Sequence, residues 1–206
     1  MMNLFPQKKY KIIYADPPWK FKTWSEKGKG RSAEKHYKTM ELNDIKKLPL
    51  ADISEDDCIL FLWATSPMLQ QAFEVMKAWG FSFQEVAFTW VKKNKKSPGF
   101  FSGMGYYTRS NAEFCLVGVK GHPKIINQDV SQLVVTIRRE HSRKPDEVRE
   151  RIVRLMGDLP RIELFARERF PGWDTWGDEV DSHVFQKAKR ISIMNNSHKK
   201  HVRKKM

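Results

Sequence analysis

The chain has 206 residues, enough for one sizeable domain and hardly enough for two. With 40% hydrophobic and 12% aromatic residues it can fill a core, which excludes the disordered and collagen-like classes. A formal net charge of +14 is a statement about partners rather than fold, and points to a polyanion, most commonly nucleic acid. Cys58 and Cys115 each sit inside an apolar run without metal-ligand spacing, so they read as small core residues and no metal site is expected. Nothing resembles a signal peptide, and no apolar stretch is long enough to span a bilayer. These features predict a cytoplasmic protein with no membrane partner; the oligomeric state, monomer or homodimer, is left open.

In chain order, "YKIIYA" (10–15) reads as a buried strand and runs straight into Asp16, Pro17, Pro18 and Trp19. Two prolines cannot continue a ladder, because neither has a backbone N–H to donate. Residues 20–38 form a long, basic, glycine-containing connection, and a weaker helix is predicted over 41–50. A strand follows at 58–64. A helix over 66–80 has Ser66 as its expected N-cap, Pro67 in its first turn, Leu69, Phe73 and Met76 at helical spacing, and Gly80 as its stop.

Further strands are predicted at 85–92, 112–119, 133–137 and 161–166, and a second helical segment at 144–157 with Pro145 in its first turn, Val148, Ile152 and Leu155 at helical spacing, and Gly157 as its stop. Residues 92–111 combine lysines, glycines and aromatics in a long connection between strands. From Lys187 onward the chain has eight Lys or Arg and no acid, which reads as a basic tail (187–206) after a domain spanning 1–186. Most of the strand runs are continuously apolar rather than alternating, as suits strands covered on both faces. Strands alternating with helices predict an α/β doubly wound domain, a mainly parallel sheet with helices on both faces.

In open α/β sheets ligands bind outside the carboxyl ends of the strands, where "DPPW" falls. A residue before proline is held extended, so Asp16 is presented at the edge. Its carboxylate and nearby backbone carbonyls are clustered acceptors beside the face of an indole. That set suits an amino group on a planar heterocycle. Such an amine is a poor nucleophile, because its lone pair is delocalised into the ring. Two acceptors on its hydrogens pull the nitrogen toward a tetrahedral form and free the lone pair. Taken alone, the tetrapeptide is equally well a strand-ending turn.

It is accompanied by "HYKTM" (36–40), "LFLWAT" (60–65), "FTWVK" (88–92), "RSNAEFCLVGVKG" (109–121), "HSRKPDEV" (141–148) and "RIELFARERFPGWDTWGDE" (161–179). Together and in this order the segments resemble the adenine-N6 methyltransferase family of the MT-A seventy type, over roughly residues 10–180. That family contains the eukaryotic mRNA adenosine methyltransferase catalytic subunit and bacterial and phage DNA-adenine relatives. The resemblance implies a Rossmann-like methyltransferase domain using S-adenosylmethionine. It implies catalytic roles for Asp16, Pro17, Pro18 and Trp19, with the adenine amine held by Asp16 and the Pro17 carbonyl. Tyr37 matches a tyrosine near the target base.

By the same resemblance, Lys144 would meet the carboxylate of the cofactor, and Asp16 would also touch its amino group. Glu163, Arg167, Asp178 and Glu179 would line its ribose and adenine, with Asn127 and Gln128 near a polar family position. Many relatives carry Asn where this chain has Asp178, and the 20–38 connection is longer and more basic than in the eukaryotic enzymes. The candidate phosphate contacts are Lys20, Lys22, Lys29 and Arg31 in the first basic connection. Lys92, Lys93, Lys95, Lys96 and Arg109 are those of the second, where Phe100, Phe101, Tyr106 and Tyr107 could stack on bases.

The expected activity is N6-methylation of adenine in DNA with short or relaxed specificity. RNA methylation by the same chemistry and a non-catalytic nucleic-acid-binding role are the alternatives. Methylation of the cytosine amine is disfavoured, since that chemistry usually carries Ser where this chain has Asp16.

Overall fold

The computed structural model describes residues 5–20, 39–138, 143–178 and 180. All six predicted apolar runs form strands: β1 (Tyr10–Ala15), β2 (Ser54–Thr65), β3 (Ser82–Lys93), β4 (Ala112–Lys120), β5 (Leu133–Ile137) and β6 (Arg161–Leu164). A seventh, β7 (Asp174–Trp176), was not expected. It has only three residues and follows Pro171 and Gly172, so no apolar run announces it.

The strands make one sheet in the order β5-β3-β4-β2-β1-β6-β7. β1 pairs in parallel with β2 and β6, β6 with β7, and β3 with β5. β4 runs antiparallel to both its neighbours, β2 and β3. The sheet is therefore mainly parallel, as expected, with one reversed strand in its middle.

Helices cover both faces, as predicted. The weak helical signal over 41–50 becomes two short pieces, α1 (Leu42–Lys46) and α2 (Leu50–Ile53), with Pro49 between them. The first long helix opens as a 3₁₀ turn (Ser66–Met68) and continues as α3 (Leu69–Ala78); Ser66 makes no side-chain cap. Gly80, at φ +83°, ends the segment. The second long helix is α4 (Glu147–Met156), stopped by Gly157 at φ +88°.

On one face, Ile45, Leu50, Ile53, Ala72, Val75 and Met76 from α1–α3 pack on Ile13, Ala15, Leu60, Leu62 and Leu116. The approach is close: a Cβ on Gly118 of β4 would lie 2.7 Å from Met76 Sδ. On the other face, Val148, Ile152 and Met156 of α4 pack on Ile12, Tyr14, Phe61, Trp63, Phe88 and Val134. Phe73 was expected inside but is 40% exposed; it meets Phe83 edge-on at 4.9 Å while Ala72 and Val75 face the sheet. Leu155 is only partly buried, and Met156 takes the inner position. Both cysteines are fully buried, and burial pushes the Cys58 thiol up to about 12. Among the described residues, no helix is long and apolar enough to cross a membrane.

Candidate active site

Because β4 alone is reversed, its first residues lie at the same sheet edge as the last residues of the other strands. That edge gathers Asp16–Trp19 after β1, Thr65 at the end of β2, Lys92 at the end of β3 and Glu113 near the start of β4. Residues 143–146 ahead of α4 and 165–169 after β6 come to it as well. Glu113 stands in the ladder between Thr65 and Trp90.

The tetrapeptide turn is tightly tied. Trp19 N donates to Pro17 O at 2.8 Å, and Met40 N donates to Pro18 O at 2.9 Å. The indole of Trp19 is 6% exposed and packs into the α1–α3 core, and its Nε1 donates to Trp63 O at 2.9 Å. In this structure it anchors the turn rather than offering a stacking face at the surface. The Pro17 carbonyl keeps one lone pair for a further donor.

Four charged side chains then form a chain of alternating sign. Lys144 Nζ donates to Asp16 Oδ2 at 2.6 Å and lies 3.3 Å from Glu113 Oε2. Lys92 Nζ binds the other oxygen of Glu113. Both ammonium groups also sit over indoles of the α4-side core, Lys144 5.4 Å from the Trp63 ring centroid and Lys92 4.7 Å from that of Trp90. Lys144 is only 9% exposed, so its charge is desolvated and must be paired.

The titration of the cluster follows. Burial pushes the Asp16 carboxyl up, against the opposing pull of Lys144. Burial works the same way on Glu113, but Lys144 and Lys92 outweigh it and hold that carboxyl below its ordinary value. Burial disfavours the charged form of Lys144, yet Asp16 and Glu113 prevail and hold it firmly protonated. The cluster thus contains a fixed cation between two acids, of which Asp16 is the more reluctant anion.

A second buried pair lies behind this edge. Arg149 of α4 donates from Nε and Nη2 to both oxygens of Glu163 in β6, at 2.7 and 2.8 Å, and from Nη1 to Asp146 at 2.9 Å. Its guanidinium also faces Tyr14 and Phe170, at 5.8 and 5.0 Å. Tyr14 OH accepts Trp63 Nε1 at 2.6 Å, linking the pair to the residue that anchors Trp19.

The structure thus brings Asp16, Pro17, Pro18, Trp19 and Lys144 together, with Arg167 near enough for its charge to act on Asp16. Lys92 joins them through Glu113, as an internal ion-pair partner. Glu163 is buried, with both oxygens on Arg149. Asp178 is exposed just beyond β7. The turn before it needs glycine, since a Cβ on Gly177 would lie 2.3 Å from Ala166 O.

Asn127 and Gln128 are not brought to this edge. Asn127 N donates to Leu155 O in the last turn of α4, whereas Lys144 precedes the first turn, about 15 Å of helix away. Lys20 is exposed at the turn and pairs with Glu41. Lys93 is the last residue of β3, and Lys95, Lys96 and Arg109 belong to the connection that follows it. Tyr37, Lys22, Lys29, Arg31, Glu179 and the tail from 187 lie outside the described residues.

Two residues at the site, Glu113 and Arg149, were not singled out from the sequence. Glu113 sits inside the apolar run "AEFCLVGV", where a lone acid in a buried strand was the available signal. Arg149 reads as one of several surface charges in "EVRERIVR", and nothing local marks it as buried.

Comparison with known proteins adds to the geometry. The profile of the MT-A70 family matches residues 10–179. The type II methyltransferase M.MunI of Mycoplasma sp. is 37% identical over 198 residues, covering 88% of this chain and 82% of that protein. The human N(6)-adenosine-methyltransferase catalytic subunit METTL3 is 32% identical over 177 residues, 84% of this chain but 28% of that protein. The MT-A70-like N(6)-adenosine-methyltransferase of Arabidopsis thaliana is 30% identical over 173 residues, 82% of this chain and 24% of that protein.

Proposed function

The chain belongs to the MT-A70 family of N6-adenine methyltransferases, and from that premise we propose that it transfers a methyl group from S-adenosylmethionine to the N6 amine of adenine in DNA. The observation that carries this reading is the position of Asp16. It is an anionic acceptor at the carboxyl end of β1, with a proline carbonyl beside it and a buried ammonium 2.6 Å away.

The cofactor fits the charges present. Its amino-acid end bears one cation and one anion, and Asp16 and Lys144 offer the complementary pair. Among the described residues, Arg167 and Asp178 would meet its nucleoside, whereas Asn127 lies by the last turn of α4, away from this edge. When bound, it supplies a methyl group made electrophilic by a sulfonium.

The chain's own residues prepare the nucleophile. Asp16 accepts one hydrogen of the adenine amine and the Pro17 carbonyl the other, which biases the nitrogen toward a tetrahedral, reactive form. The two prolines offer no competing N–H. Lys144 can leave Asp16 without becoming unpaired, because Glu113 already stands 3.3 Å away. The methylated amine then loses its proton to water, so no dedicated base is needed.

DNA is favoured over RNA by the relative matched along most of both chains, which is a bacterial type II methyltransferase and not an adenosine methyltransferase subunit. The match to adenosine methyltransferase subunits is what keeps RNA as the second reading. On this reading sequence specificity is short or relaxed, and the chain's net charge of +14 makes phosphate contacts the dominant source of affinity. The test is Asp16→Asn, which keeps shape and removes charge. Methyl transfer should fall by about 100-fold or more while circular dichroism and DNA retention are unchanged; full activity in the folded variant would overturn the assignment.

A further inference from the structure

The connection from β3 to β4 is a built arm. Phe101 N donates to Lys92 O at 2.8 Å and Asn94 N to Gly99 O at 3.2 Å. Further out, Gly103 and Ser110 exchange bonds of 2.7 and 3.2 Å and pinch off a tip of residues 104–109. That tip needs glycine: a Cβ on Gly105 would lie 2.0 Å from Thr108 O. Phe101 is seated under the Arg138 guanidinium at 4.2 Å, which fixes the stem.

This scaffold presents an aromatic ring to solvent. Tyr107 at the tip is 95% exposed and Met104 is 72% exposed. Residues 92–111 carry five Lys or Arg and no acid. The arm is also joined to the catalytic edge, since Lys92 at its root binds Glu113, which neighbours the Lys144 bound to Asp16. Tyr107 is five residues from Ala112, the start of β4, so the tip stands within about 17 Å of that edge.

We propose that Tyr107 is a wedge that enters the base stack of duplex DNA and fills the place vacated by the target adenine. The proposal rests on the DNA-adenine reading above. An adenine in a duplex can reach Asp16 only by leaving the stack. An aromatic ring inserted behind it replaces the lost stacking and delays its return. The exposed Lys93, Lys95, Lys96 and Arg109 supply phosphate contacts that orient the ring, and the glycine turn holds it forward before DNA arrives.

The experiment compares wild type, Tyr107→Ala and Tyr107→Phe on one preparation of unmethylated genomic DNA, used native and heat-denatured, with methyl-labelled S-adenosylmethionine. Tyr107→Ala should lose at least tenfold on the native duplex, stay within about twofold on the denatured strands, and be rescued by Tyr107→Phe. Equal loss on both substrates, no loss on the duplex, or wild-type activity confined to denatured DNA would each overturn the wedge while leaving adenine methylation standing. Wild-type protein that labels neither form would overturn the DNA reading itself, and the wedge with it.

Discussion

Lys144 Nζ lies 2.6 Å from Asp16 Oδ2, so the carboxylate proposed to hold the adenine amine is already engaged by a buried ammonium. On the proposed reading, substrate and cofactor share Asp16 with Lys144, and the 3.3 Å contact to Glu113 gives the lysine somewhere to go. Lys144→Gln should lower methyl transfer by about 100-fold, with Lys144→Arg recovering part of it, in steady-state assays with labelled donor. Because burial raises the Asp16 carboxyl, wild-type activity should also fall away with acid above the pH at which an ordinary aspartate titrates. A Lys144→Gln rate equal to wild type would remove the lysine from the site.

Glu113 holds two lysines, and its stabilising effect should depend on pH. Its carboxyl is lowered from an ordinary value of 4.5, so its contribution is present above that value and disappears as pH falls through the depressed one. Glu113→Gln should cost about 2 kcal/mol at pH 7 in urea denaturation. The difference from wild type should shrink below pH 4.5. A difference that stays constant down to the acid limit would show that the charge is not what stabilises.

Arg149 and Glu163 should behave as one unit. Arg149→Leu leaves a buried carboxylate without its partner and should cost about 3–5 kcal/mol. Adding Glu163→Leu should recover much of that loss, because the orphaned charge is removed too. A double variant as unstable as the sum of the two single ones, by urea midpoints, would mean the pair is not coupled.

Lys95 and Lys96 are exposed on the arm. If both meet phosphates, replacing them with Gln should weaken DNA binding and flatten the slope of log affinity against log salt by about 2. An unchanged slope in a salt titration would take the arm off the phosphate backbone.

Most strands were legible as apolar runs, and in β1 and the second half of β2 that pattern does report burial on both faces; in β5, at the sheet edge, it does not, since Leu133 and Ile137 are exposed and only Val134 is fully buried. The direction of β4 was not legible, since a strand buried on both faces carries the same residues whichever way it runs. Phe73 satisfied the helical period but lies at the edge of the stripe, where Phe83 meets it. Asp16 and Lys144 were reached through a strand-ending tetrapeptide and a family resemblance, and the structure brings them together across 128 residues of sequence. Glu113 was signalled only by being a lone acid in an apolar strand, and Arg149 stayed hidden because the partner that buries it, Glu163, stands 14 residues further on. Glu163 was expected on a ribose; local sequence could not reveal that Arg149 takes both of its oxygens.

The central claim is that this chain methylates adenine N6 in DNA. Purified protein would be incubated with methyl-labelled S-adenosylmethionine and with DNA and RNA of matched sequence, and the digested nucleosides separated by mass spectrometry. Label in N6-methyl-2′-deoxyadenosine, absent with Asp16→Asn, is the predicted result. Label confined to N6-methyladenosine from RNA, or to a methylated cytosine, would contradict it.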